Sequence, residues 1–410
     1  MVFVKPFVLD NWVRQFKPLA SASLHGVEGR LDTCVDPLSL QELSQLQAPS
    51  SSTGPINASN ALLYGSVLGS LGLRDKILSL YASDVTDPAE ELSLTVMQGA
   101  ISANFLVLDT LLGPGDHVIC QYPTYQQLYD VPRRAGAQVT LWRTCQEKRW
   151  IPDTTELSSL VKENTRMIII NNPNNPTGAS IPFRVLEEIV SFAEKRGIII
   201  LSDEVFRPLF HRPTESPPSI IAFAGWYKNI IATSSLSKAY SLPGIRVGWV
   251  ISPNADLVHQ VVMARDYTTI SVSQIDQDIA TYALDAPVRE RILQRSLAAC
   301  ERNLATLGKF IASHADHLRW VKPSGASAAF VQVIDPDIGA PVNDKSYCEE
   351  LVRKTGLLIV PGGETFGTED EKDFKGYLRV GFVCSPERFE QALAIWDEYL
   401  NWDQHLESNR

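Results

Sequence analysis

The chain is poor in features that would settle its function quickly. Its six cysteines (Cys34, Cys120, Cys145, Cys300, Cys348, Cys384) are scattered, with no CxxC pair and no Cys/His cluster. That spacing gives no metal site and no disulfide frame, and it reads as reduced, intracellular thiols. No apolar run is long enough to span a bilayer, and the opening MVFVKPFVLDNWVRQF is too short and too interrupted for a signal peptide. A cytoplasmic protein with no membrane partner is expected. Basic residues are in the minority, 37 Lys and Arg against 47 Asp and Glu, for a formal net charge of −10. Nucleic acid is therefore a poor partner, because phosphate backbones need clustered cations. Neither GxGxxG nor GxxxxGK[ST] follows a predicted strand, which weakens a nucleotide-binding reading. There is no internal repeat and no low-complexity tract.

What is present is a length of 410 residues with 44% hydrophobic and 20% charged content. That is too long for one simple core, so two domains around a cleft are expected. Residues 1–55 show no sustained helix or strand pattern and read as a strap joining the smaller domain. Short apolar runs at Leu92–Met97, His117–Gln121, Gln138–Trp142, Met167–Asn171, Ile198–Ser202 and Asn229–Ser234 alternate with helical patterns such as Pro182–Lys195. Such alternation predicts an α/β domain over 56–285 with a mostly parallel sheet covered on both faces. Arg246–Ile251 adds another strand. From Pro287 to about His314 a long charged helix leads into runs at Ala328–Val333, Leu357–Val360 and Leu378–Phe382, and a helix near Pro386–Trp402 follows. Residues 286–410 thus read as a smaller α+β C-terminal domain.

Unusual residues cluster just after the strands of the larger domain, where open α/β sheets bind ligands. Gln98-Gly99-Ala100-Ile101 follows one strand and opens a helix, so its backbone N–H groups can approach an anion, although a plain strand–helix turn has the same sequence. Asn171-Asn172-Pro173-Asn174-Asn175-Pro176-Thr177-Gly178 makes a rigid turn that presents the Asn175 amide. Ser202-Asp203-Glu204-Val205-Phe206 ends an apolar run, and a carboxylate there is costly to bury without a cationic partner. Against a pyridine nitrogen, Asp203 would keep the ring protonated; Glu204 should point to the opposite side. In Ser234-Ser235-Leu236-Ser237-Lys238-Ala239-Tyr240-Ser241-Leu242-Pro243-Gly244-Ile245-Arg246-Val247-Gly248-Trp249, a lysine sits among hydroxyls, with no acidic neighbour, eight residues before an arginine. A partly buried lysine near positive charge is a usable nucleophile, and Ser235 with Arg246 suits a phosphate.

Taken in order, NNPNNPTG, SDEVF, SLSKAYSLPGIRVGW and LRVGF resemble the class I/II aminotransferases of pyridoxal 5′-phosphate (PLP) fold type I, over nearly the whole chain. The resemblance implies an aspartate aminotransferase-like fold. It implies an enzyme acting at the α-carbon of an α-amino acid, through external aldimine and quinonoid intermediates. Lys238 would be the Schiff-base lysine and the proton shuttle. Asp203 would meet the ring nitrogen, Asn175 the ring hydroxyl and the substrate, and Tyr125 the cofactor face. Gly99, Ala100, Ile101, Ser235, Ser237 and Arg246 would surround the phosphate, and Arg379 would clamp the substrate carboxylate. Tyr64 looks like the family's tyrosine that reaches a neighbouring subunit's phosphate, which implies a homodimer with shared active sites. Keeping Lys238, Asp203, Asn175, Arg246 and Arg379 together argues against a fold that has lapsed into mere binding.

Phe206 departs from the pattern, since the family usually places a tyrosine there to donate to the ring hydroxyl. Phe206, the stretch Ser235–Trp249, the run Arg265–Ser273 and the segment Gly356–Gly362 are similar to the capreomycidine synthase branch, which performs β-elimination and cyclisation on an arginine derivative. Transamination in specialised amino-acid metabolism and elimination with cyclisation therefore both remain open. His25 would lie near the substrate if the strap folds back, and Glu28, Asp32 and Glu364 are acids that could read a guanidinium.

Overall fold

The computed structural model describes residues 6–21, 36–46, 55–56, 63–85, 90–212, 216–367 and 373–401. Seven strands form the larger sheet: β1 (Ser93–Met97), β2 (His117–Tyr122), β3 (Gln138–Arg143), β4 (Thr165–Asn171), β5 (Ile199–Asp203), β6 (Ile230–Ser235) and β7 (Gly248–Ser252). Their spatial order is β1-β7-β6-β5-β4-β2-β3. All pairings are parallel except those of β7, which runs antiparallel to both β1 and β6. β2, β5, β6 and β7 are buried along their whole length, as expected of strands covered on both faces. The helix Gly99–Leu111 lies over β6 and β7 and buries Ala103, Leu106 and Val107. Helix Phe183–Glu194 turns Leu186, Ile189, Val190 and Ala193 toward the opposite core.

A second sheet is wholly antiparallel. It contains β8 (Leu318–Trp320), β9 (Ala328–Asp335), β10 (Ala340–Pro341), β11 (Val360–Pro361) and β12 (Tyr377–Gly381), ordered β10-β9-β12-β11 with β8 on β9. The 28-residue helix Ala286–Ser313 packs against the helix Pro386–Leu400 beside it. The run expected as a strand over Leu357–Val360 narrows to the two residues of β11, because Leu357 and Ile359 are buried without strand pairing and Leu358 makes only a single bridge.

The larger correction concerns the start of the chain. Residues Val8–Ser21 form a helix instead of an extended strap. The spacing Leu9, Trp12, Phe16, Ala20 is the period of one helical face, and all four side chains are buried. The helix packs against the helix Asp344–Thr355, the helix Gly362–Phe366 and β11, and the Trp12 indole donates to the Ile359 carbonyl at 3.2 Å. Its other end is held by the larger sheet's connections: the Val8 N–H donates to Gln126 Oε1 at 2.9 Å, and Gln126 Nε2 donates to the Pro6 carbonyl at 3.1 Å. Among the described residues no helix is long and apolar enough to cross a membrane.

Candidate active site

A cavity of about 310 Å³ opens where the carboxyl ends of β4, β5 and β6 meet β12 and the first helix. Each part of its wall has a local cause. At the end of β5, Asp203 is 3% exposed. Its Oδ2 accepts from Asn104 Nδ2 at 2.8 Å and its Oδ1 from the Val205 N–H at 3.0 Å. Burial pushes its pKa up to about 6, against the opposing pull of those two donors and of the Lys238 charge. Asn104 is itself fixed, because its Oδ1 accepts from Thr233 Oγ1 at 2.5 Å. Glu204 points away, accepting from the Ile220 N–H at 2.8 Å on the far side of the strand.

The Asn/Pro run is locked by its own side chains. Asn171 Nδ2 donates to the Asp203 carbonyl at 3.0 Å and its Oδ1 accepts from the Asn175 N–H at 2.7 Å. Asn174 Oδ1 accepts from Thr177 Oγ1 at 2.7 Å. Asn175 is thereby turned into the cavity, and its Oδ1 is buried without a hydrogen-bond partner among the described residues. Phe206, 2% exposed, closes the wall opposite, with Lys238 Nζ 5.9 Å from its ring centroid.

The anion end is made by close approach of two backbones. Arg246 adopts φ +53°, a left-handed conformation rare for a non-glycine residue, and its guanidinium lies over Gly99. A Cβ on Gly99 would sit 2.5 Å from Arg246 Nη2, and one on Gly248 would sit 2.5 Å from the Gly99 carbonyl carbon. Gly248 is required by space, Gly99 by its φ of +74°, and together they set the start of helix Gly99–Leu111 against β7. Ser235 Oγ accepts from the Ser237 N–H at 3.2 Å, and Arg246 Nη1 donates to Ser237 Oγ at 3.4 Å and to the Pro243 carbonyl at 3.0 Å.

Of the residues singled out from the sequence, Ala100, Ile101, Tyr125, Asn175, Asp203, Phe206, Ser235, Ser237, Lys238, Arg246 and Arg379 all line this one cavity, and Gly99 lies directly behind it. Tyr64 is 84% exposed and stands outside its own chain's cavity. His25, Glu28 and Asp32 lie outside the described residues. Glu364 is not in the cavity wall; it is held by Lys345 at 2.8 Å. The sequence reading missed Asn104, Asn171, Gln127 and the face of the first helix that brings Leu9, Asp10 and Val13 to the cavity. Asn104 carries no signal of its own in the sequence, standing one turn after Ala100 on a helix that also holds Ser102, Asp109 and Thr110.

The family model for aminotransferase class I and II matches residues 55–395. The chain belongs to this family. It is 30% identical to capreomycidine synthase from Streptomyces vinaceus over 303 residues, 74% of this chain and 73% of that protein. A PLP-dependent aminotransferase from Streptococcus suis superposes with a TM-score of 0.83 at 35% identity, over 97% of this chain and 98% of that one. The PLP-dependent cyclase OrfR superposes with a TM-score of 0.80 at 25% identity, covering 98% of each chain. This class I/II family member is thus a PLP-dependent enzyme with the aspartate aminotransferase-like fold.

The cavity fits that cofactor. Asn175 offers an unpartnered buried amide oxygen and its neighbouring nitrogen. Asp203 is a buried carboxylate whose raised pKa a ring cation would relieve. The Gly99–Gly248 cradle leaves backbone N–H groups open at a helix start, where a phosphate is favoured.

Proposed function

We propose that this enzyme acts at the α-carbon of an α-amino acid, with Lys238 as both cofactor anchor and proton carrier. The observation that carries this reading is the convergence of Lys238, Asp203, Asn175, Arg246 and Arg379, from separate elements, on one cavity. Bound PLP supplies a place for the electron pair left at Cα when its proton departs. The chain's own residues do the rest. Arg379, on β12, binds the substrate carboxylate and orients the Cα–H bond toward Lys238. The Lys238 amine takes that proton and holds it for return. Asp203, buried and steadied by Asn104, keeps a proton on the ring nitrogen. Arg246, Ser235, Ser237 and the start of helix Gly99–Leu111 hold the phosphate, Tyr125 covers a face of the ring, and Phe206 excludes water from it.

Transamination is the first reading of the outcome, on the strength of the family. A second reading, elimination with cyclisation on an arginine-like substrate, is favoured by Phe206, which leaves Asn175 as the main donor to the ring hydroxyl, and by the likeness to capreomycidine synthase. We also read the enzyme as a cytoplasmic homodimer in which Tyr64 reaches the partner's phosphate site. The exposure of Tyr64 and of its neighbour Leu63 supports that, since exposed large apolar side chains suit an interface. His25, outside the described residues, is read as a substrate contact. Domain limits of 56–285 and 286–410 follow the change from the parallel to the antiparallel sheet.

The test mixes cofactor-loaded enzyme with single amino acids and no 2-oxo acid, following absorbance and products together. One equivalent of oxo acid, with the cofactor left aminated, establishes transamination. Many turnovers with the starting spectrum restored establish elimination or cyclisation. No response from any amino acid overturns the α-carbon reading.

A further inference from the structure

The charged groups on the cavity wall pair off against an amino-acid substrate and its cofactor with one left over. The wall carries Lys238, Arg246 and Arg379 against Asp203 and Asp10. Under the reading above, Arg246 answers the phosphate, Asp203 the ring nitrogen and Arg379 the substrate carboxylate, while Lys238 is consumed in holding the cofactor. Asp10 then has no counterpart in any part of an amino acid except its side chain. Asp10 is an exposed residue on that wall, where a carboxylate facing a neutral side chain gains nothing, one facing an acidic side chain repels it, and one facing a cation strengthens binding.

The surroundings of Asp10 suit a particular shape of cation. Leu9 and Val13 stand one turn apart on the same helix and reach the same cavity. They offer an aliphatic surface beside the carboxylate, which matches a side chain with a methylene stem and a charged end. Tyr125 places Asp10 close to the chemistry: burial pushes its phenol pKa up, with the negative charges of Asp10 and then Asp203 adding to the rise. The helix that bears Asp10 is not free to drift. Gln126 grips its first turn from one side, the Phe7 ring lies 5.1 Å from the Tyr125 ring, and Trp12 ties it to Ile359 on the other. A carboxylate at position 10, between anchors at Val8 and Trp12, is a positioned group.

We propose that Asp10 is a specificity-determining residue that receives a cationic amino-acid side chain, a guanidinium or a primary ammonium on an aliphatic stem, with Leu9 and Val13 packing on the stem. The inference rests on the α-carbon reading and names the substrate class for that same site. It also gives the first helix a purpose that the buried face at Leu9, Trp12 and Phe16 does not by itself supply.

The experiment compares full-length, cofactor-loaded wild type with Asp10→Asn, Asp10→Glu and Asp10→Lys on arginine, lysine, norleucine and glutamate. Turnover is read as kcat/KM and the absorbance of each protein confirms cofactor loading. Wild type should favour arginine or lysine over norleucine by about tenfold or more, the usual reach of one well-placed charged contact. Asp10→Asn should lose most of that preference through KM, Asp10→Glu should keep part of it, and Asp10→Lys should move the preference toward glutamate. Equal losses on all four amino acids would show that Asp10 acts through Tyr125 or Arg379 and would overturn the proposal. So would a wild type that prefers norleucine or glutamate while remaining active, which leaves the α-carbon reading standing. A cofactor-loaded wild type that responds to no amino acid overturns that reading and this proposal with it.

Discussion

At the scale of single residues, the site holds buried polar groups, Asp203, Asn175 and Arg379, whose cost is met when their ligand is present. Asp203 shows this most clearly. Its carboxyl is raised by burial from an ordinary value of 3.8 to about 6, so the folded chain without cofactor binds a proton more tightly than the unfolded chain. The stability it contributes is greatest below pH 3.8, falls as pH rises toward 6, and stays low above that. At neutral pH the unliganded protein therefore carries a penalty on the order of 3 kcal/mol from this group. We expect Asp203→Asn to make the cofactor-free protein more stable than wild type at pH 7.5, and to bring the two together near pH 4. Activity should fall by about a hundredfold or more, as for loss of a buried group that supports the reacting ring. Thermal melts of both cofactor-free proteins across that pH range check the sign. A variant less stable than wild type at pH 7.5 would contradict it.

Asp203, Lys238, Asn175 and Arg246 stood out in the sequence because each residue type is unusual where it stands: an acid ending an apolar strand, a lysine among hydroxyls, an amide between prolines, an arginine just past a Pro-Gly turn. Arg379 came only from the likeness of its LRVGF segment to the family. Asn104 and Asp10 were not legible, since their meaning depends on which helical face meets a partner about a hundred residues away in sequence. A lone amide in an apolar helix, or a lone acid near the start of a chain, carries no such mark by itself.

At the scale of elements, the decisive contact is the meeting of β7 with the start of helix Gly99–Leu111. β7 is the antiparallel strand of its sheet, and Gly248 begins it where the helix begins. A methyl on Gly248 would lie 2.5 Å from the Gly99 carbonyl carbon and 2.7 Å from the Ala100 nitrogen, both backbone atoms that cannot swing aside. Gly248→Ala should therefore push the helix start off the strand, destabilising the fold by about 1–3 kcal/mol, the range for overpacking. PLP affinity should fall at least about tenfold, because the N–H groups and Arg246 would no longer converge. Cofactor titration by absorbance measures this, and an unchanged affinity would show that the cradle does not hold the phosphate. The Pro-Gly turn before β7 was visible in the sequence, as was every strand of the larger sheet to within a residue or two. The first helix is not evident from the sequence because Pro18 lies inside it, a residue that ordinarily argues against a helix, although the spacing of Leu9, Trp12, Phe16 and Ala20 fits one face. The short β11 was overcalled because a buried connector is as apolar as a strand.

At the scale of the whole molecule, Tyr64 is the element of the account that a single chain leaves outside its own cavity. If Tyr64 completes the partner's site, then Lys238→Ala and Tyr64→Ala are complementary lesions. A hybrid of the two has one site with both defects and one with neither. After subunits are exchanged, an equal mixture should recover about a quarter of wild-type activity, since half the dimers are hybrids with one sound site each. A mixture no more active than the average of its parents would place each site within one chain. The mostly parallel first sheet, a separate α+β unit after it and the long charged helix were foreseeable from the strand–helix alternation; the strand order of each sheet was not. How the first helix joins them was not, because its hydrogen bonds to Gln126 and Ile359 are non-local.

The central claim is that Lys238 moves the α-proton of an amino acid bound beside PLP. It is tested most directly by exchange of that proton, a step common to transamination and to elimination. Cofactor-loaded enzyme would be incubated with arginine deuterated at Cα, and loss of the label to water would be followed by mass spectrometry alongside Lys238→Ala. Wild type should lose the label at or above the rate of turnover, and the variant should lose none. Retention of the deuterium by an active wild type, or an equal rate of loss in Lys238→Ala, would contradict it.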